Sequence, residues 1–204
     1  MKKMKLWMMA AILFSGVACM TSCNGQAKVE KEAEAAEVAL NGLGGDLEAL
    51  ISKYLVDSIG SQYAPGEICI PVVVYQTDEI KEDSLFVWGD YWVFNYNVVG
   101  DTLKCVSGGS HPGKLLVRKN EQGEDQVVSF EQVEAGHGNV ESAKRIFGKN
   151  YDAFHSANSD EVYREEVRAS GIADYVKAHN LPVKYYQDYG WPAKEIPTQD
   201  APAQ

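Results

Sequence analysis

The stretch Ser107-Gly108-Gly109-Ser110-His111-Pro112-Gly113-Lys114 invites a chemical reading, because Gly108, Gly113 and Lys114 stand at the spacing of a phosphate-binding loop. Two features refuse it. Leu115 occupies the position where a Ser or Thr hydroxyl must reach magnesium, and the residues after it have the pattern of a strand. A phosphate loop needs a helix N-terminus there to collect the charge. The glycines read better as a turn joining two strands, with His111 exposed at the mouth of a cleft. His111, His137, His155 and His179 include no pair four residues apart, and no Cys-x-x-Cys accompanies them. No metal site and no cofactor is expected from that spacing.

Cys69 and Cys105 fall in two predicted strands. In an oxidising compartment they could form a disulfide, and they read equally well as two small buried apolar residues. Cys105 lies near His111 in sequence, but a thiol in a buried strand is poorly placed to act as a nucleophile. No carboxylate pair stands out as acid and base; Glu161, Glu165 and Glu166 read as a solvated helix face. Two aromatic clusters remain: Trp88, Tyr91, Trp92, Phe94 and Tyr96, then Tyr185, Tyr186, Tyr189 and Trp191. In a sheet most such rings are core, packed edge to face. The rest can line a pocket for a sugar ring or apolar group, with Asn95, Asn97 or His111 supplying hydrogen bonds. Trp92, Tyr96, Asn97 and His111 are therefore the candidate ligand-binding residues.

The elements that must position them follow from apolar periodicity. Leu43, Leu47, Leu50, Ile51, Tyr54 and Leu55 recur at three and four residues, one face of a helix that begins near Gly44-Gly45-Asp46 and stops at Gly60. From Ile68 to Val133 the period becomes two. Ile68 to Tyr75 is an apolar run marked by Pro71, and Trp92, Phe94, Tyr96 and Val98 alternate with Val93, Asn95 and Asn97. Gly100-Asp101 supplies a hairpin turn into Thr102 to Ser107, and Leu115 to Arg118 and Val127 to Val133 come next. This predicts four to six antiparallel strands in a meander. After Gly136 the helical period returns. Asn139 is placed to cap Val140 to Phe147, Tyr151 and Phe154 make a short helix, and Asn158 or Ser159 caps the longest, stopped by Asn180 and Pro182. Helix, curved antiparallel sheet, then C-terminal helices packed on it is an α+β arrangement.

The chain has 204 residues, 45% hydrophobic and 24% charged, with a formal net charge of −10. That suits one globular domain and excludes wholesale disorder. The acidic balance excludes a nucleic-acid partner, whose phosphates need clustered Lys and Arg. Residues 1–22 differ from the remainder: Lys2, Lys3 and Lys5 precede an apolar stretch from Leu6 to Ala18, and no acid occurs before Glu30. The apolar run is short for a membrane span and fits a signal peptide. Cleaving it removes three lysines and no acid, which moves the net charge from −10 to −13. Residues 23–37, rich in Ala, Glu and Lys, form a flexible tether, 38–192 the single α+β domain, and 193–204, with Pro197 and Pro202, a disordered tail.

Met20-Thr21-Ser22-Cys23 resembles the lipobox of bacterial lipoproteins, with Val17-Ala18-Cys19 as a weaker rival. The resemblance implies cleavage before Cys23, lipidation of Cys23 and a membrane anchor in the cell envelope, on the periplasmic or surface face of the outer membrane. The element order, with segments such as Gly89-Asp90-Tyr91-Trp92, resembles the cystatin-like and nuclear-transport-factor-2-like domains of small envelope lipoproteins. That implies a curved sheet that cups a pocket. The leading expectation is a non-enzymatic domain binding a small molecule, glycan or partner protein. The alternatives are a pocket enzyme with His111 or a buried Asp as general base on a small hydrophobic substrate, and a structural or assembly protein of the envelope.

Overall fold

The computed structural model describes residues 44–198, so the signal segment, Cys19, Cys23 and the tether lie outside the described residues. The fold is α+β: a curled, mainly antiparallel sheet with one helix on one face and three on the other. Helix α1 (Gly45–Tyr54) runs into a π turn at Leu55–Ile59 and a 3₁₀ turn at Gly60–Gln62. Four long strands come next, β1 (Ile68–Lys81), β2 (Ser84–Val99), β3 (Thr102–Lys119) and β4 (Asp125–Gln132). Then come α2 (Asn139–Phe147), α3 (Tyr151–Ser159) and α4 (Glu161–Ala178). Two short strands, β5 (Tyr185–Gln187) and β6 (Lys194–Glu195), close the described chain.

Strands β1 to β4 form the expected antiparallel meander. β5 departs from it by pairing parallel to the first residues of β3, and β6 pairs with β5. The folded body therefore continues past Pro192, and Ile196 packs into the core with Leu103, Ala173 and Val183. An apolar side chain with a vacant core position outweighs the two nearby prolines that mark a tail.

The stretch Ser107–Lys114 is a second departure, for β3 runs through it without a turn. The register against β2 shifts by one residue, with Asn95 opposite Ser107 and Tyr96 opposite Cys105, which is a β-bulge. Two residues beyond the extra residue, Val106, Gly108 stands opposite Phe94 at φ +139°, where a Cβ would lie 2.3 Å from the Val93 carbonyl oxygen. The glycines serve close backbone approach inside a strand, not a loop.

The two-residue period of β2 settles which face each side chain takes. Leu85, Val87 and Tyr91 pack under α1 with Ile51 and Leu55. Trp88 faces the opposite layer, donating its indole N–H to the Ile146 carbonyl of α2 at 2.7 Å. Phe94 and Tyr96 pack in the cluster that holds Ile172 and Ala173 of α4. Helix α4 lies close to β1 because it presents Gly171 there; a Cβ would meet Val72 Cγ2 at 2.6 Å. Its N-cap is Asp160, whose side chain accepts from Tyr163 N at 3.0 Å, one or two residues beyond the expected Asn158 or Ser159. Asn139 is the first helical residue of α2 and not its cap, which is Gly138.

Cys69 and Cys105 are free thiols. Cys69 sits on β1 opposite Asn95, and Cys105 on β3 opposite Tyr96, so strand β2 runs between them. Two strand spacings make about 10 Å, beyond the reach of a disulfide. The expectation of a bond fails on topology. Burial raises the pKa of both thiols.

Candidate functional site

Along β2, Asp90, Trp92 and Phe94 share the face that α4 covers, and the two elements leave a groove between them. Its narrow end is a cleft of about 100 Å³ whose walls include Gln76, Asp90, Trp92, Phe154, Asn158 and Arg164. Trp92 and Arg164 also line the adjoining space of about 300 Å³, with Phe94, Glu161 and Arg168. Glu165 connects that space to a third of about 320 Å³, bounded by Asp188, Trp191 and Lys194.

Asp90 is the anchor of the narrow end. It is 6% exposed, and the Ser110 hydroxyl donates to its two oxygens at 2.7 and 2.9 Å. Ser110 is in place because the register sets it opposite Trp92 on the neighbouring strand. Arg164 Nη1 reaches down from the first turn of α4 to Asp90 at 3.1 Å and also donates to Asn158. Its guanidinium carbon lies 4.8 Å from the centre of the Trp92 ring, a cation–π contact that roofs the aromatic floor. Trp92 itself is 3% exposed, and its indole N–H has no hydrogen-bond partner among the described residues. Gln76 donates to the Asn150 carbonyl at 2.9 Å, while its buried Oε1 has no partner among the described residues. Both atoms are closed off from solvent, and each is costly to leave unpaired.

One turn on, Arg168 repeats the geometry with tighter partners. It donates twice to Asp188, at 2.6 Å each, and to the Tyr96 hydroxyl at 2.9 Å, with its carbon 4.1 Å from the Phe94 ring. Burial opposes its charge, but Asp188 and Tyr96 raise its pKa above the ordinary arginine value. Burial raises the Tyr96 pKa. Glu165 accepts from Tyr186 and pairs with Lys194 at 2.8 Å, so this acid belongs to an ion-pair network and not to a solvated face. Burial works against its charge, and Lys194 and Tyr186 prevail to lower its pKa.

The four ligand-binding candidates are split by the sheet. Trp92 lines the groove, and Tyr96 lies beneath it, fully buried and held by Arg168. Asn97 and His111 are on the α1 face: Asn97 is exposed and accepts from Glu67 N at 3.2 Å. His111, opposite Tyr91, is buried there, with Tyr63 Oη 3.0 Å from Nε2 and Gln132 Nε2 2.9 Å from Nδ1. Nε2 ties the chain after α1 to the sheet through Tyr63 and Nδ1 meets Gln132 of β4, so both ring nitrogens are engaged and His111 does not stand at a cleft mouth. Its burial lowers its pKa.

Asp90, Arg164, Arg168 and Gln76 were not singled out by residue type. Asp90 had a signal: parity along β2 sets a lone acid among Trp88, Trp92 and Phe94. Arg164 and Arg168 had one as well, two cations four residues apart on a helix, with Glu161 and Glu165 similarly spaced. Nothing local links those cations to β2. No known protein family matches the sequence, and comparison with characterised proteins and with solved structures finds no significant match.

Proposed function

We propose that the folded body is a non-enzymatic binding domain whose ligand sits in the groove between β2 and α4. One observation carries the reading: β2 and α4 leave a groove lined by Trp92, Phe94, Arg164 and Arg168, with the Asp90–Arg164 pair at its narrow end. The curved sheet under a long helix also supports the resemblance to pocket-forming cystatin-like and nuclear-transport-factor-2-like domains.

The N-terminal pattern supports export and lipidation at Cys23. The domain is then held at the envelope by acyl chains, each buried methylene contributing about 0.8 kcal/mol. Mass spectrometry of the native protein tests the anchor, and an unmodified N-terminus beyond Cys23 overturns it.

For the groove, the full-length protein in detergent is screened by NMR against a library of small polar molecules. The Trp92 indole N–H signal, identified by its loss in Trp92→Phe, is the reporter. A saturable shift that Arg164→Ala abolishes is the expected result. No response to any compound sinks the binding reading.

A further inference from the structure

The two parts of the groove ask for different chemistry. Val74, Trp92, Ala153, Phe154 and Ala157 give the narrow end apolar walls. Its volume is about 100 Å³, against about 150 Å³ for an apolar cavity that takes a benzene ring. A branched aliphatic group suits it better than a ring. The adjoining space of about 300 Å³ is walled instead by charge, with Glu161, Arg164, Glu165 and Arg168 along one face of α4. Two of these are committed, Arg168 to Asp188 and Tyr96, and Glu165 to Lys194 and Tyr186. The other two keep bonding capacity. Arg164 engages Asp90 and Asn158 through Nη1, while its Nε and Nη2 have no partner among the described residues and its side chain is 29% exposed. The contact with Trp92 uses the face of the guanidinium and leaves that edge open. Such an edge takes a carboxylate by two parallel hydrogen bonds. The Ser110 hydroxyl helps to hold the charge of Asp90, so Arg164 can serve a second acid. Glu161, three residues earlier on the helix, is exposed and forms no ion pair among the described residues.

A ligand with only a carboxylate would meet the charge of Glu161, and one with only an amine would leave the Arg164 edge unmatched. A zwitterion answers both, and the narrow end lies ready for an apolar group attached to it. We infer that the groove binds a free α-amino acid with a branched aliphatic side chain. Its carboxylate lies on Nε and Nη2 of Arg164, its ammonium on Glu161, and its side chain in the narrow end between Val74 and Phe154. The inference deepens the reading of the groove as a binding site and rests on it.

The test is calorimetry and NMR on the full-length protein in detergent, with leucine and valine as probes. Isocaproate and isoamylamine keep the leucine skeleton and lack its ammonium or its carboxylate. Aspartate and lysine keep both backbone charges and change the side chain. Leucine or valine is expected to bind saturably and to move the Trp92 indole signal, with the four comparison compounds at least about tenfold weaker. Glu161→Gln, at an exposed position, should weaken the amino acid about tenfold and leave isocaproate no weaker. Ala157→Leu, also exposed, fills the narrow end and should abolish leucine binding. Circular dichroism and thermal melting verify that each variant is folded. Amino-acid binding that either substitution leaves unchanged overturns the assignment. So does any of the four comparison compounds binding as tightly as leucine and valine. A library compound that moves the Trp92 signal when neither amino acid does overturns the amino-acid assignment and leaves the groove standing. Silence from library and amino acids together removes both.

Discussion

Arg168 of α4 grips Asp188 with two guanidinium nitrogens, each 2.6 Å from a carboxylate oxygen. This two-point pair fixes the segment after β5 against the helix that walls the groove, so the far rim is rigidly joined to the floor. The Arg168 side chain is only 10% exposed, while Asp188 retains 33%.

Breaking one side of that pair should cost more than replacing both. Asp188→Ala leaves a buried guanidinium without its counter-charge and is expected to cost about 3 kcal/mol, the low end for buried pairs because Asp188 is partly solvated. The double variant Arg168→Met, Asp188→Leu should lose less. Urea denaturation of both proteins checks the order, and a double variant as unstable as the single one would contradict it.

Substitution at Gly108 should be far worse than at a loop glycine. Its Cβ would meet the Val93 carbonyl oxygen at 2.3 Å and Phe94 Cα at 2.6 Å, atoms that cannot rotate away. Gly108→Ala is expected to cost about 3 kcal/mol or more. Gly123, at φ +83° with open space around it, should lose only about 1 kcal/mol on the same change. Thermal melting distinguishes the two.

His111 should make stability fall with acid well above the carboxylate range. Burial holds its pKa below the ordinary 6.5, only partly offset by Gln132 and Asp90. The unfolded chain therefore takes up the proton more readily than the folded one. The stability His111 contributes is complete above pH 6.5 and is lost as pH falls through the folded value. Glu131, lowered chiefly by Lys114, and Glu165 lose theirs only below their ordinary 4.5, so the window between pH 7 and 5 isolates the histidine. The urea midpoint should drop across that window in the parent and markedly less in His111→Gln.

Cys69 and Cys105 should behave as separate, sluggish thiols. Reductant should leave the melting temperature unchanged. Peptide mapping after alkylation should find both labelled, faster at pH 9 than at pH 7, because burial raises both thiol pKa values. A peptide pair joined through these two residues would overturn the strand order between them.

Whatever depends on near neighbours is legible in the order of residues alone. Periods of three to four, then two, then three to four again marked α1, the meander and the C-terminal helices, because each residue's burial is set by the geometry of its own element. The same parity separated Trp92, Phe94 and Tyr96 from Val93, Asn95 and Asn97. Turn chemistry identified the Gly100-Asp101 hairpin but misread Gly108 and Gly113, since a glycine needed for close approach within a sheet looks like one needed for a turn. Which residues share a site follows instead from long-range packing. Asp90 and Arg164 are 74 positions apart, and Tyr96 and Arg168 are 72 apart. Their pairing required α4 to return over the face opposite α1, and the same choice sent His111 to the other side of the sheet. No local pattern carries that choice, because it is made by how all the apolar faces are buried together.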